Sequence, residues 1–423
     1  MDELWRISPK MRPECHRERS DAISGLLRRL WLTGNVLLPA LRAHYVRPNL
    51  LLQICLAMTV PVCVFADGAA YELGGHTKLR MTGQTYPSDS LFRDLVGSSS
   101  VDTAGELRLN LAAKTNRWSF HADYQLLGLY SEFLPLGMPN DERRLFDLTK
   151  TISESSDSAW LHRLDRLWVA YTGEKTVVRV GRQALSWGNG LFFHPMDLVN
   201  PFDPTTIDTE YKTGDDMAYA QYLRDNGDDV QGAVVFRRDP TSGDVDSDQG
   251  TAALKYHGFA GEREFDVLVA EDYGTTVIGL GGVTSLGGAV WRGDIVVTDA
   301  EDDTRVEVVT NLSHSWMWEQ RNVSGSAEYY YDGDDRHYVA GSLMVEMSPL
   351  WMVTPTLVAN VNDPSALFQF VTQYSLGDNA TFLGSLNVPL GSNGTEFGGP
   401  ETGIPGRYLS FDLGVFTQLA WYF

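Results

Sequence analysis

Cysteine is nearly absent. The 423-residue chain has three, Cys15, Cys55 and Cys63, all within the first 66 residues. Residues 67–423 therefore offer no disulfide, no thiolate metal site and no cysteine nucleophile. Basic charge is also scarce: 34 Lys and Arg stand against 55 Asp and Glu, for a formal charge of −21. Such a chain lacks the Lys/Arg surplus that nucleic acid demands. The nine histidines form no close pair at metal-ligand spacing, and no G-x-S-x-G elbow marks a nucleophile. Neither a metal nor a cofactor is expected, and the chain reads as non-catalytic. Beyond residue 66 no apolar run approaches the ~18 residues of a membrane-spanning helix.

What the first 66 residues do hold is an address. An apolar run over residues 50–65 follows Arg42, His44 and Arg47 and ends at Val64-Phe65-Ala66, with small residues at the two positions that a signal peptidase reads. This predicts residues 1–66 to be an N-terminal extension plus a signal peptide cleaved after Ala66. The remainder, 67–423, carries 25 basic and 50 acidic residues.

That remainder alternates. In the C-terminal stretch Leu413, Val415, Leu419 and Trp421 share one face, while Gly414, Gln418 and Ala420 share the other. A period of two held this long means a strand with one apolar face. Eighteen such segments can be placed between residues 71–86 and 407–423, with 16 as the alternative count. Connections after even-numbered segments are short, around Asn116, Gly261 and Glu319-Gln320 among others. Those after odd-numbered segments are often long: 87–100, 131–158, 188–216, 239–250 and 391–406. Short turns on one rim and long loops on the other mark a transmembrane up-and-down antiparallel β-barrel of an outer membrane. Aromatics fall at both ends of the strands, Trp118, Tyr171, Trp316, Trp351 and Trp421 at one, Tyr86, Tyr130, Trp160, Tyr273, Tyr329 and Tyr331 at the other, as two interfacial belts would require. Pro355 and Pro389 fall inside strands, where bulges are expected.

The chain ends on Trp421, Tyr422 and Phe423, which resembles the C-terminal assembly signal of Gram-negative outer-membrane barrels. The stretch from Val180 to Pro204, with Gly181, Arg182, Gln183, Trp187, Gly188, Asn200, Pro201 and Phe202, is similar to a segment of porin-like and alginate-export-like barrels. The resemblance implies a passive conduit for sugars, anions or polysaccharide in the outer membrane of a Gram-negative bacterium. Its implied partners are membrane lipid and lipopolysaccharide, the barrel-assembly machinery and a hydrophilic solute. A homo-trimer or a periplasmic partner is left open, as is a sheath role in a larger envelope assembly.

A barrel this wide encloses water unless something narrows it. The 29 residues 188–216, stiffened by three prolines, are expected to fold inward and to set Asp197, Asp203, Asp208 and Glu210 at the constriction. Alternation predicts Lys78, Arg80, Arg108, Arg166 and Arg179 on the facing wall, and Asp266, Asp294, Glu307, Glu328, Glu346 and Asp412 on the later strands. Cations opposite carboxylates would set up a transverse field, and exposed arginines would favour anionic solutes. Arg182, at an odd offset from Arg179, is expected to clamp the loop instead.

Overall fold

A computed structural model describes residues 64–66, 69–134, 138–300 and 303–423. Most of the segment expected to be an export signal, and all three cysteines, lie outside the described residues. Twenty strands run in chain order: β1 Val64–Ala66, β2 Ala69–Thr85, β3 Ser99–Lys114, β4 Trp118–Tyr130, β5 Thr149–Glu154, β6 Ser158–Thr172, β7 Thr176–Gln183, β8 Asp215–Leu223, β9 Asp229–Val235 and β10 Thr251–Ala260. The rest are β11 Arg263–Asp272, β12 Thr275–Leu286, β13 Ala289–Ala300, β14 Asp303–Trp318, β15 Arg321–Tyr331, β16 His337–Ser348, β17 Trp351–Asn360, β18 Ser365–Ser375, β19 Ala380–Leu390 and β20 Leu413–Tyr422. Without the short β1 and β5, eighteen antiparallel strands form a closed barrel. β20 closes it against β2 in register from His76↔Tyr422 to Thr85↔Leu413. Beyond the last pair, Phe423 and Gly75 exchange both backbone hydrogen bonds, at 2.9 and 3.0 Å.

The burial pattern is inside out for a soluble protein. Leu79, Val269 and Leu280 are about half exposed, whereas Lys78, Arg108 and Asp294 are only 1% exposed. Most large apolar residues of the strands look outward, as lipid requires, and the charged ones look into the barrel, where a minority of apolar residues such as Leu161 and Leu268 are buried with them. Trp118, Trp316, Trp351 and Trp421 are exposed at the short-turn rim, and Tyr130, Trp160 and Tyr329 at the other. A barrel with such an apolar, aromatic-edged outside belongs in the outer membrane.

Several sequence expectations are corrected. Tyr86 is no belt residue; it is 2% exposed, bonded to Gln84 and Ser100 and packed on Phe92 and Phe133. It continues the inward row of His76, Lys78 and Gln84. Neither strand proline makes a bulge. Pro389 pairs in regular register with Leu367. At Pro355 the β16–β17 ladder skips from Ser342↔Thr356 to Val345↔Val353 with its register unchanged, and the shift comes later, between Glu346 and Ser348. A missing donor costs one ladder bond without forcing an inserted residue. The last strand begins at Leu413 and not at 407, which leaves Asp412 in an exposed loop. β5 sits in the segment expected to be loop, paired along the upper part of β6 where β7 has already ended.

Candidate functional site

The connection between β7 and β8, residues 184–214, builds its site in two lobes. The first follows one wall. Trp187 Nε1 donates to Gln231 Oε1 at 2.8 Å, and Asn189 gives both its backbone N–H and its side-chain amide to Asp294, each at 2.7 Å. The next turn presents three successive N–H groups, of Leu191, Phe192 and Phe193, to the Glu328 carboxylate at 2.5, 3.0 and 2.8 Å. Asn311 Nδ2 adds a fourth donor at 3.1 Å. A carboxylate with four donors is well compensated for its burial. Met196, wholly buried, fills the space left by Gly188 and Gly279; a Cβ on Gly279 would lie 2.7 Å from the Met196 methyl.

The second lobe departs at Asn200, which takes a left-handed backbone (φ 49°) and bonds Thr213 O at 3.4 Å, pinching the lobe at its base. Asp203 caps the next turn through Thr205 N and Oγ1. The lobe then reaches strands on the far side of the barrel. Thr205 O accepts from Gln369 of β18 at 2.9 Å. Asp208 takes Lys78 at 2.7 Å and Arg80 at 3.2 Å. Glu210 also pairs with Lys78, at 2.7 Å, and accepts from the Tyr422 hydroxyl at 2.9 Å. Tyr211 lies 4.1 Å from the Arg108 guanidinium, a cation–π contact. Lys212 returns to the first lobe and holds Asp197 at 2.6 Å.

Electrostatics follow burial and pairing. Burial alone would raise the Asp208 carboxyl, but the Lys78 and Arg80 charges outweigh it and hold it below its usual range. Burial pushes Asp197 up and Lys212 down, each only partly offset by the other's charge. Burial, aided by the Lys212 charge, also keeps His194 below its ordinary value.

The wall cations are equally committed. Arg80 meets Glu106 at 3.1 Å, Arg108 meets Asp123 at 3.1 Å and Asp165 at 3.0 Å, and Arg166 meets Asp165 at 2.9 Å. Arg179 lies over the Trp168 ring at 4.8 Å and donates to Gln183. Asp208 and Glu210 of the loop are thus brought onto Lys78 and Arg80 as ion pairs, while Arg108 and Arg166 are matched by acids of the strands themselves. Arg182 touches the expected loop 188–216 at its last residue, Asp216, which lies on β8. It is clasped by Asp141 at 3.0 Å and Phe146 O of the preceding loop, and by Asp216 at 2.9 Å. Gly181 at its side has φ 123°, and a Cβ there would meet Leu167 O at 2.2 Å. Glu106, Asp123 and Asp165 were missed by sequence reasoning. For Asp165 a signal existed: adjacent charges at 165 and 166 break the alternation, and the β4–β6 register shifts there.

Above the first lobe lies a cavity of about 540 Å³. Phe193, Pro201 and Phe202 of the loop close one side; Arg305, Tyr330 and Tyr338, on or beside the barrel strands, close another; Phe397 comes from the loop before β20.

No protein-family model matches the chain, and no curated protein matches it in sequence. Solved structures do match. OccAB1 of Acinetobacter baumannii is 10% identical, covering 85% of this chain and 97% of its own, with a TM-score of 0.50. OccAB4 of the same organism is 8% identical, covering 84% and 98%, with a TM-score of 0.51. A BenF-like porin from Pseudomonas fluorescens Pf-5 is 9% identical, covering 85% and 100%, at 0.48. At these identities the likeness is one of fold: a porin-like outer-membrane barrel.

Proposed function

We propose that the chain is a non-catalytic, porin-like channel for passive passage of hydrophilic solutes, its bore set by residues 184–214. One observation carries the reading: a single connection is bonded to both sides of the barrel, through Glu328 on β15 and through Lys78 on β2. A segment so anchored narrows a lumen that eighteen strands alone would leave wide. The preference for anions expected from the basic wall rested on unneutralised cations. With Lys78, Arg80, Arg108 and Arg166 each paired to a carboxylate, and only Arg179 of that wall held by neutral groups, support moves to polar solutes of no required charge. In this reading Trp421, Tyr422 and Phe423 present the strand that the barrel-assembly machinery captures, and lipid and lipopolysaccharide cover the apolar outside.

The test is conductance of the purified full chain in planar bilayers. Stepwise openings are expected, larger after deletion of 195–208, with a reversal potential in a salt gradient close to that of the bulk electrolyte. Silence across voltages and salts would overturn the channel. An unchanged conductance after the deletion would remove the loop from its role, and a strong anion preference would reinstate the basic wall as the filter.

A further inference from the structure

The cavity above the first lobe has an unusual charge balance for a space lined by so many ionisable groups. Five carboxylates reach it, each with partners of its own: Asp197 pairs with Lys212 at 2.6 Å, Asp272 with Arg237 at 3.7 Å, Glu307 with Arg305 at 3.4 Å and Asp332 with Arg336 at 2.6 Å. The fifth, Glu396, accepts from the Tyr338 hydroxyl at 2.7 Å and from Asn360 Nδ2 at 2.9 Å. Tyr330 donates likewise to Glu307. Five carboxylates against four cations, of which only Arg305 and Arg336 reach the lining, leave a small negative excess that opposes an anion, while those two arginines oppose a cation. What the pairs leave is a dense set of fixed donors and acceptors, since a carboxylate has about four lone-pair sites and a guanidinium five N–H groups.

Beside this polar set stand aromatic and proline faces. Phe193 stacks on Tyr330, centroids 4.5 Å apart, and approaches Tyr338 at 5.1 Å. Phe202 and Phe397 enter from two different loops. Fixed polar groups next to flat apolar faces match a solute that carries hydroxyls on its rim and C–H groups on its faces. The volume is within the range of small-molecule sites, roughly 300–1,000 Å³.

We propose that this cavity is a binding vestibule for a neutral saccharide of a few rings, which the ring faces of Phe202 and Phe397 grip while Tyr338–Glu396 and Arg305–Glu307 bond its hydroxyls. The assignment deepens the channel reading and rests on it for its physiological sense: the vestibule holds the sugar on the long-loop side of the constriction. Binding itself needs no conduction, so it is measured separately.

The experiment is calorimetry on the purified full chain in detergent, with maltotriose and raffinose as neutral probes, citrate as an anion and lysine as a cation. At least one sugar is expected to bind, more tightly than citrate or lysine. Phe397→Ala and Tyr338→Phe should each weaken that binding about tenfold or more, the second by removing a hydrogen bond to a charged group while keeping the ring. Heat-modifiable migration on gels shows that both variants have folded. Absence of heat with both sugars, tighter binding of citrate or lysine, or sugar binding indifferent to both substitutions would each overturn the proposal. A protein that binds sugar yet conducts nothing would sink the channel and leave the vestibule standing.

Discussion

Lys78 of β2 and Asp208 of the β7–β8 loop, 130 residues apart, meet at 2.7 Å, with the lysine only 1% exposed. Glu210 shares the same ammonium. Removing both carboxylates, in Asp208→Asn with Glu210→Gln, leaves a buried cation without a counter-charge. Breaking a buried pair from one side typically costs about 3–5 kcal/mol. The loop tip should come away, and single-channel records should show larger, noisier openings than the parent. Openings of parental size and stability would mean the pair does not restrain the loop.

The same contact fixes a pH dependence. The Asp208 carboxyl is held below its ordinary value of 3.8, burial opposing and the Lys78 and Arg80 charges prevailing. A group depressed in the folded state contributes stability that is complete above the ordinary value and is lost as pH falls through the depressed one. Conductance should therefore be steady from neutrality down to about pH 4 and become noisy below it. Asp208→Asn should remove the transition.

Arg182 joins two carboxylates, Asp141 and Asp216, each almost fully buried. Burial opposes ionisation of Asp141, yet the Arg144 and Arg182 charges bring it down to about 2. Arg182→Ala should free the loop 131–157, at about 3–5 kcal/mol, and expose it to protease added outside whole cells. Arg182→Lys should recover only part of the protection, because a compact ammonium cannot reproduce the planar set of N–H groups that the guanidinium spreads over Asp141, Asp216 and Phe146 O. Full protection in Arg182→Ala would show the clasp to be dispensable.

Glycine is required at Gly75 of the wall, as it is at Gly181. A Cβ on Gly75 would lie 2.0 Å from Arg108 O and 3.1 Å from the Phe423 ring, where the first and last strands meet. Gly75→Ala should lower the heat-modifiable, folded fraction of the protein severely. Gly105→Ala, with nothing within 4 Å of the added carbon, should fold as the parent does. Equal yields from the two would dismiss the close approach as a constraint.

The strand count and the two unequal rims were legible because alternation and turn residues are local properties. β5 was not, since Thr149–Glu154 has only Ile152 as a large apolar residue and no lipid-facing row. The inward position of Asp165 escaped alternation because one inserted residue shifts the register for the rest of the strand. The partners of the charged residues were wholly hidden. Alternation placed Lys78, Arg80 and Arg108 on one wall, but no spacing rule joins residue 78 to residue 208. The basic wall therefore looked like a free field, when Lys78, Arg80, Arg108 and Arg166 are each neutralised by a carboxylate and Arg179 lies against Trp168.

The tip of the β7–β8 loop is tied to Lys78 and Tyr422, residues of the two strands whose pairing closes the barrel. Its docking place does not exist until the C-terminal strand has met the N-terminal one. A half-built barrel would hold this segment loose, and the bore would be set only when the circle is complete. If the loop sets the bore as proposed, closure and narrowing would fall together, and an unfinished barrel would lack both its seam and its constriction.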